Sequence, residues 1–184
     1  TFRLDVAWRR RTVRRLDLPA GSLVLDLACG TGDLCRDLDR AGMAPLGMDL
    51  SWGMLAAART EAPLVHADAL RLPVADGAAD GVTCGFALRN LTGLEPFFAE
   101  LARALRPGGR IAILEVDRPR NRFLRLGHGA YFGRVVPFIG GLLSNRDAYR
   151  YLPRSVAYLP PEEDLLAIIA AAGFVDVAKE RCSG

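Results

Sequence analysis

The sequence predicts an α/β fold, a doubly wound and mostly parallel sheet with a helical lid inserted after the fifth strand. Two observations predict it. Short apolar runs alternate with amphipathic stretches of about a dozen residues, which is typical of strands joined by crossover helices. The first run, 23–27, leads through a glycine turn at Gly30 and Gly32 into a helical pattern that begins at Asp33. In open α/β sheets such a unit forms a ligand crevice at the carboxyl ends of the strands.

The other elements follow the same alternation. A first helix is expected over 3–16. Strands are expected at 23–27, 45–50, 64–69, 80–86 and 110–116, with helices from Asp33 to Gly42, from Ser51 to Ala62 and from Leu94 to Leu105, a helix stop and turn at 106–110, a closing helix at 165–172 and a sixth strand at 174–178. With 184 residues, of which 51% are hydrophobic, the chain is expected to form a single domain over 1–184, with 118–159 as its lid or substrate insertion.

Composition argues against several classes of function. The net charge is +3 and no polybasic tail or alternation of basic and aromatic residues is present, so we expect no nucleic-acid partner. The 4 cysteines have neither CxxC spacing nor histidine partners, which favours free thiols in a reducing compartment and no metal site. The longest apolar run, 135–143, is interrupted by Pro137 and is too short to span a bilayer.

The residues around the glycine turn indicate a positively charged ligand. The loop lacks the third glycine of a dinucleotide fingerprint, and Asp26 and Asp33 flank it. A carboxylate at a helix N-terminus repels a pyrophosphate and favours a cationic or zwitterionic ligand. S-adenosylmethionine fits, because its sulfonium and amino groups are positive.

Two later strand ends complete this ligand site. Asp49 ends the second strand about twenty residues after the glycine turn, where a carboxylate accepts hydrogen bonds from ribose hydroxyls. Asp68 can accept from the exocyclic amine of adenine, and the backbone N–H of Ala69 can donate to a ring nitrogen. A single aspartate would be weak support, since turns use this residue freely. The ordered set at successive strand ends predicts S-adenosylmethionine as cofactor.

Three motifs carry a family resemblance. Residues 24–33, Val-Leu-Asp-Leu-Ala-Cys-Gly-Thr-Gly-Asp, resemble motif I of the Rossmann-like class I S-adenosylmethionine-dependent methyltransferases. Residues 85–91, Gly-Phe-Ala-Leu-Arg-Asn-Leu, and 149–155, Tyr-Arg-Tyr-Leu-Pro-Arg-Ser, resemble signatures of the menaquinone/ubiquinone biosynthesis C-methyltransferases. The resemblance implies cofactor contacts at Asp26, Ala28, Gly30, Thr31, Gly32, Asp49, Leu50, Met54, Asp68, Ala69 and Gly85. Members of that family usually have a further N-terminal segment and a final strand beyond Gly184, and the resemblance assigns no site residue to either.

The implied reaction is methylation of a ring carbon of a prenylated hydroquinone, from demethylmenaquinol to menaquinol. It needs a nucleophilic carbon in line with the S–CH3 bond. Ionisation of the adjacent phenol activates that carbon, and a cation stabilises the phenolate. We expect Arg89 to hold this oxyanion and Asn90 the second hydroxyl. Arginine stays protonated and is not itself the base. The structural alternative for Arg89 is an ion pair with Asp117 or Glu115.

Other candidate catalytic residues have equally plain alternatives. His128 in the insertion has a side chain that titrates near neutrality and could act as the base, or it could be an exposed lid histidine. Asp117, at the end of the fifth strand, could be a base or a helix cap. His66 is expected to be a strand residue near the adenine rather than a catalyst.

The insertion suggests how the substrate is collected. Between Asp117 and Asp147 there is no acidic residue, and arginines mix with aromatic and aliphatic side chains. Such a mixture suits a peripheral membrane surface, and it suits equally a soluble lid that lines a groove for the polyprenyl tail. The expected location is cytoplasmic, at the inner membrane face in the first case, and a homodimer is left open. The alternative functions are methylation of another small aromatic or lipid acceptor, and a non-catalytic module that binds the cofactor.

Overall fold

A parallel sheet of five strands lies at the centre of the chain in the computed structural model, which describes residues 4–91, 93–115 and 159–182. The strands are β1 (Leu23–Leu27), β2 (Ala44–Asp49), β3 (Leu64–His66), β4 (Ala79–Gly85) and β5 (Leu105–Leu114). The helices are α1 (Leu4–Leu16), α2 (Asp33–Arg40), α3 (Trp52–Ala56), α4 (Leu94–Ala104) and α5 (Glu162–Ala171), with a 3-10 helix at Leu88–Asn90. The predicted α/β class with a parallel sheet is confirmed.

The strand order is β3-β2-β1-β4-β5, so the direction of chain progression reverses between β1 and β4. Leu27 lies opposite Met48 on β2 and opposite Cys84 on β4. Because all the pairings are parallel, the carboxyl ends of the strands meet at one edge of the sheet. This reversal is the topological switch point at which open α/β sheets bind ligands.

Burial explains why β1 is the central strand. Four of its five residues, Val24 to Leu27, are buried, as a strand covered on both faces requires. Helices α1 and α2 contact each other and the sheet, and their buried leucines and valine pack with Val24 and Ala112 in one apolar cluster. Helix α4 buries Phe97, Phe98 and Leu101 and packs against β5 and α5.

Several boundaries differ from the predictions. Helix α3 ends at Ala56, although its apolar pattern predicted a helix as far as Ala62. Strand β5 begins at Leu105, directly after α4, and the expected turn at 106–110 is an irregularity in its pairing with β4. Gly108 in this segment has φ +79°, a left-handed conformation that glycine adopts without strain.

The predicted sixth strand at 174–178 is wrong. After α5, residues 172–182 form neither helix nor strand. Val175, which alternation placed on a strand, is 84% exposed, and Asp176 has φ +54°, outside the β region. An apolar alternation over so few residues forms a strand only when a neighbouring strand accepts its hydrogen bonds, and no such partner lies among the described residues.

Other predictions concern the membrane, the cysteines and the insertion. No helix within the described ranges is long and apolar enough to cross a bilayer. Cys29, Cys35 and Cys84 are buried free thiols and Cys182 is half-buried, as the spacing predicted. The predicted lid at 118–159 lies outside the described residues except for Leu159, and so do Asp117 and His128.

Candidate active site

The site is built from the segments that follow the strands at the switch point. Its first part, called here the glycine-loop half, consists of the residues after β1, β2 and β3, namely 28–33, 49–54 and 66–69. Its second part, called the arginine half, consists of residues 85–90 after β4 and Glu115 after β5. Parallel pairing brings all these segments to the same edge of the sheet.

The loop after β1 folds back tightly on itself. Ala28, Gly30 and Gly32 have φ angles of +51°, +54° and +79°, so every second residue is left-handed. The N–H of Gly32 donates to the carbonyl of Cys29 at 2.9 Å. A Cβ on Gly30 would meet nothing within 4 Å, so this backbone faces open space and a ligand can approach it closely.

Asp49 joins the first two loops. Its Oδ2 accepts a hydrogen bond from the N–H of Gly30 at 2.8 Å, and its Oδ1 accepts one from the N–H of Ser51 at 2.7 Å. Ser51 in turn caps α3, because its Oγ accepts from the N–H of Met54 at 3.4 Å. Each carboxylate oxygen has a second lone pair, so Asp49 can hold the loop and still accept from the hydroxyls of a bound ribose.

Exposed apolar side chains line the edge beside Asp49. Leu50 is 65% exposed, Trp52 69% and Met54 41%. The ring of Trp52 meets that of His66 edge to face with centroids 5.7 Å apart, and Nε2 of His66 lies 2.7 Å from the carbonyl oxygen of Leu50. This apolar surface suits the flat face of a purine. The sequence analysis predicts Leu50 and Met54 as cofactor contacts, and the structure adds Trp52 as a candidate, an aromatic residue directly after a helix cap at a strand end.

Asp68 and Ala69 form the far end of the glycine-loop half. The Asp68 side chain is exposed, and its Oδ1 accepts from the N–H of Leu70 at 2.9 Å. Asp68 also pairs with Arg71 in an isolated antiparallel bridge, which fixes the turn after β3. The turn therefore holds a carboxylate beside the N–H of Ala69, the donor and acceptor pattern that the sequence predicts for an adenine edge.

Asp26 lies beneath the loop rather than in the crevice. Its side chain is fully buried, accepting from Thr83 Oγ1 at 2.8 Å and from Cys35 Sγ at 3.2 Å. Burial raises the pKa of Asp26 to about 7, in spite of the two hydrogen bonds, which lower it. The resemblance implied a cofactor contact for Asp26. In this geometry its side chain ties β1 to β4 and to α2, and its cofactor contact stays a prediction.

Cys35 and Cys84, two of the thiols around Asp26, have raised pKa values. The neighbouring Cys29 and burial raise the pKa of the Cys35 thiol, and burial raises that of Cys84. Both Cys29 and Cys35 pack against Gly47, where a Cβ would lie 3.0 Å from either sulfur. These cysteines therefore act as small apolar side chains that support the loop.

Asp33, predicted to favour a cation at the start of α2, has a partner. It forms an ion pair with Arg36, one turn later, and Arg36 also donates to the carbonyl of Arg59 at 2.6 Å. The Asp33 charge is therefore offset on the outer side of the loop. There Thr31, Asp33, Arg36, Ala57 and Arg59 line an open groove of about 340 Å³.

The arginine half begins with a change of direction after β4. Phe86 has φ +59°, uncommon for a residue with a side chain, and its N–H donates to the carbonyl of Leu114 at 2.7 Å. The turn leads into the 3-10 helix at Leu88–Asn90. Gly85, a predicted cofactor contact, packs against Leu34, whose Cδ1 would lie 2.9 Å from a Cβ at this position.

Arg89 pairs with Glu115 across the ends of β4 and β5. Its Nη1 donates to Glu115 Oε1 at 2.9 Å, with the arginine side chain 33% exposed and the glutamate 8%. The ion pair with Glu115 that the sequence offered for Arg89 is thus present, and Asp117 lies outside the described residues. Asn90 is exposed. Its backbone N–H, and not its side-chain amide, donates to the carbonyl of Ala87 at 2.8 Å.

The described candidate residues thus gather at one edge, with Asp26 below it. Among the residues that the structure describes, no group of three or more histidine, cysteine, aspartate or glutamate side chains could hold a metal ion. The arrangement offers bare backbone, apolar surface and carboxylates on one side of the switch point, and a half-buried guanidinium on the other.

Comparison with protein families and relatives gives a consistent result. A sequence model of the ubiE/COQ5 methyltransferase family matches residues 1–184. The demethylmenaquinone methyltransferase of Thermus thermophilus is 46% identical over 184 residues, covering 95% of this chain and 84% of its own length. The ubiquinone/menaquinone biosynthesis C-methyltransferase UbiE of Geobacter sulfurreducens is 37% identical, covering 97% of this chain and 74% of its own length.

Solved structures agree on the fold. Phosphoethanolamine N-methyltransferase 2 of Haemonchus contortus, determined with S-adenosylhomocysteine, superposes with a TM-score of 0.68 at 20% identity, covering 92% of this chain and 37% of its own. An S-adenosylmethionine-dependent methyltransferase of Mesorhizobium loti has a TM-score of 0.52 at 32% identity, over 60% of this chain and 54% of its own.

Proposed function

The chain belongs to the ubiE/COQ5 methyltransferase family, and we propose that it methylates a ring carbon of a prenylated hydroquinone, converting a demethylmenaquinol to a menaquinol. It is an S-adenosylmethionine-dependent methyltransferase of quinone biosynthesis. The observation that carries the proposed acceptor is the half-buried guanidinium of Arg89 beside the switch point, opposite the open backbone at Gly30.

The glycine-loop half fits the cofactor. Asp49 would accept from the ribose hydroxyls, Leu50 and Met54 would cover the adenine, and Asp68 with the N–H of Ala69 would bond its edge. The open backbone at Gly30 leaves room for the methionine part. When bound, the cofactor supplies an electrophilic methyl group on a cationic sulfur.

The arginine half would prepare the acceptor. The Arg89 guanidinium lowers the pKa of a phenol that it contacts, because its positive charge favours the phenolate. The phenolate raises electron density at the neighbouring ring carbon. As that carbon forms the new carbon–carbon bond, the S–CH3 bond of the donor would break with S-adenosylhomocysteine as the leaving group, and the ring carbon would then lose its proton to water or to a base. Asn90 would bond the second hydroxyl and so fix the ring. Arg89 stays protonated throughout, so the phenol proton leaves through water or through another base, for which Asp117 and His128 are the proposed candidates.

The membrane contact is a further part of the proposal. The mixture of arginines and apolar residues over 117–147 supports a lid that meets lipid headgroups and takes up the polyprenyl tail. We expect the full-length protein to methylate a long-tailed hydroquinone in vesicles of anionic phospholipid faster than in detergent, and a tail-less analogue equally in both.

The central test is an assay of methyl transfer to reduced demethylmenaquinol. With a deuterated methyl donor, mass spectrometry and NMR should place the label on a ring carbon rather than on oxygen. Arg89→Ala should lower turnover by about 1,000-fold, the scale of losing one oxyanion-stabilising group, while cofactor affinity changes less than about twofold. Arg110→Ala, which removes an exposed arginine paired with Asp17 at 3.2 Å, is the matched control and should retain full activity.

Two results would contradict this proposal. A full-length protein that binds the cofactor but transfers no methyl group to the hydroquinone would refute the acceptor. Transfer to the oxygen of a phenol, or to another aromatic or lipid compound in preference, would place the chain with a different acceptor class. If Arg89→Ala instead weakens cofactor binding or unfolds the protein, Arg89 has a structural role only.

A further inference from the structure

Glu115 combines an unusual set of properties. It follows β5 directly, at the carboxyl edge of the sheet, and its side chain is only 8% exposed. Burial of a carboxylate costs solvation free energy, so a glutamate in this environment needs compensating interactions. Its Oε1 accepts from Arg89 Nη1 at 2.9 Å. A carboxyl side chain is therefore kept at the edge of the crevice, beside the Arg89 guanidinium that is proposed to hold the acceptor oxygen.

The sheet itself brings the two residues together. Gly85 is paired with Leu114, and the N–H of Phe86 extends that ladder by donating to Leu114 at 2.7 Å. This bond fixes the left-handed turn from which the 3-10 helix starts, and Arg89 is the middle residue of that helix. The position of Glu115 relative to Arg89 is thus set by backbone pairing and not only by the ion pair.

The geometry of the pair leaves Arg89 able to bind a substrate. The guanidinium carries five N–H donors, and the contact with Glu115 uses one of them at Nη1. One third of the arginine side chain is exposed, whereas the glutamate is almost entirely covered. Glu115 therefore binds one end of the guanidinium from its buried side. The remaining N–H donors belong to a side chain that is partly exposed to solvent.

We propose that Glu115 is a positioning residue for methyl transfer: it fixes the Arg89 guanidinium toward the acceptor oxygen and offsets part of its positive charge. This inference rests on the proposed function. The two effects of Glu115 are separable. Loss of the anchor should misplace the guanidinium and lower turnover, whereas loss of the negative charge alone should make the site more favourable to a phenolate.

Other titratable groups lie near this pair. Glu115 and Asp26 both contribute to raising the pKa of the Cys84 thiol, which is mainly a burial effect, and Asp49 also acts on it. Asp26 has its own pKa near 7, so cofactor binding can depend on pH by a separate route. A pH experiment on Glu115 must therefore measure cofactor affinity and turnover in parallel.

Two substitutions separate the anchor from the charge. Glu115→Gln keeps the shape and an acceptor for Arg89, and Glu115→Ala removes both. Glu100→Gln is the matched control, because Glu100 pairs with Arg103 at 2.8 Å with similar side-chain exposures of 13% and 31%. That pair lies away from the crevice, since Arg103 also bonds Asp76, which precedes β4.

Turnover at saturating cofactor is measured against pH, together with the KM for demethylmenaquinol and the Kd of S-adenosylmethionine. Glu115→Ala should lower kcat by about 10- to 100-fold with the Kd changed less than about twofold. Glu115→Gln should shift the acidic limb of the kcat profile to lower pH by about 0.5 to 1 unit, because the phenol ionises more readily beside an uncompensated cation. A shift that the Kd profile shares would come from cofactor binding and not from ionisation of the acceptor, and counts against the inference.

The outcomes distinguish the role of Glu115 from the proposed methyl transfer on which that role depends. If the wild-type protein transfers no methyl group, the proposed function fails and the inference with it. If Arg89→Ala is inactive while both Glu115 variants behave like Glu100→Gln in kcat, KM and pH profile, only the role of Glu115 is overturned. An inactive Glu115→Ala with an unshifted Glu115→Gln profile overturns the charge effect.

Discussion

The two halves of the site differ in what holds them. The glycine-loop half is held by backbone N–H groups that donate to carboxylates close in sequence or on the neighbouring strand, as with Asp49 and the N–H groups of Gly30 and Ser51. Below it, Asp26 joins β1 to β4 and α2. The arginine half joins the ends of β4 and β5 by backbone pairing, extended by the bond from the N–H of Phe86 to Leu114, and by a side-chain ion pair, Arg89 with Glu115.

This difference matches what each half has to bind. A cofactor of constant shape is bound well by a rigid loop whose contacts are made before it arrives, since little ordering is left for binding. An acceptor that becomes negatively charged during the reaction needs a group that stabilises this charge, and a guanidinium with N–H donors not used by Glu115 can do so. In the proposed function, the preformed hydrogen bonds would thus lie where the cofactor binds and the guanidinium where the methyl group is transferred.

The largest expected effect tests the buried support of the glycine-loop half. The folded-state pKa of Asp26, about 7, is above the value near 3.9 in an unfolded chain, so the folded protein binds the extra proton between them. The contribution of Asp26 to stability is fully present below the unfolded pKa and is lost as pH rises through 7. Asp26→Asn cannot titrate, so the difference in free energy of unfolding between wild type and variant should fall by about 3 kcal/mol from about pH 5 to pH 8.

Urea denaturation followed by circular dichroism across this range measures the difference. Taking wild type minus variant cancels the titration of all other groups, which the two proteins share. A difference that stays constant with pH would show that Asp26 is ionised in the folded protein, as a carboxylate in contact with water would be. The carboxylate that supports the loop would then be accessible to solvent, as the Arg89 side chain of the arginine half partly is.

The next largest effect concerns the loop itself, through Gly32. At φ +79° an alanine is strained, and its Cβ would lie 2.6 Å from Cγ2 of Thr60. Gly108 has the same φ of +79° with nothing within 4 Å of the added atom, which makes Gly108→Ala a control for backbone strain alone. We expect Gly32→Ala to weaken S-adenosylmethionine binding by about 100-fold, or about 3 kcal/mol, and Gly108→Ala to leave it within about twofold. Isothermal titration calorimetry gives both values.

A second change in the same protein identifies the cause. Thr60→Gly removes all three atoms that the new Cβ would meet within 4 Å, so the double variant should recover most of the lost affinity. Wild-type affinity in Gly32→Ala would mean that the loop accommodates a Cβ without losing its binding conformation. The glycine-loop half would then not need the preformed conformation that distinguishes it from the arginine half.

Sequence predicted the glycine-loop half better than the arginine half, for a physical reason. Gly30, Gly32, Asp49 and the Ser51 cap lie in short segments whose conformation follows from turn and cap chemistry. Asp26 shows the limit of this reasoning. Its place in the strand was predicted, but burial depends on the helices that pack over β1, and the spacing of acidic residues does not reveal it.

Features that depend on pairing between distant segments were less predictable. Arg89 was predicted at the end of β4, but its ion pair with Glu115 depends on the register of β4 and β5, which sequence does not give. The start of β5 at Leu105 and the absence of a strand at 174–178 have the same origin, because a strand exists only where a neighbour pairs with it. Local patterns thus located the strand ends but not the contacts between them.

The smallest expected effect is that of Asn90, whose replacement should affect the use of the acceptor without affecting cofactor binding in the glycine-loop half. Its side chain is exposed and its backbone N–H bonds to Ala87, so Asn90→Ala should leave stability and cofactor affinity unchanged. Loss of one hydrogen bond to a hydroxyl of the acceptor should lower kcat/KM for demethylmenaquinol by about tenfold. Asn90→Asp places a negative charge beside the developing phenolate and should lower it further, because like charges repel. Steady-state assays of both variants check this order. Equal activity of all three proteins would remove Asn90 from the proposed acceptor site.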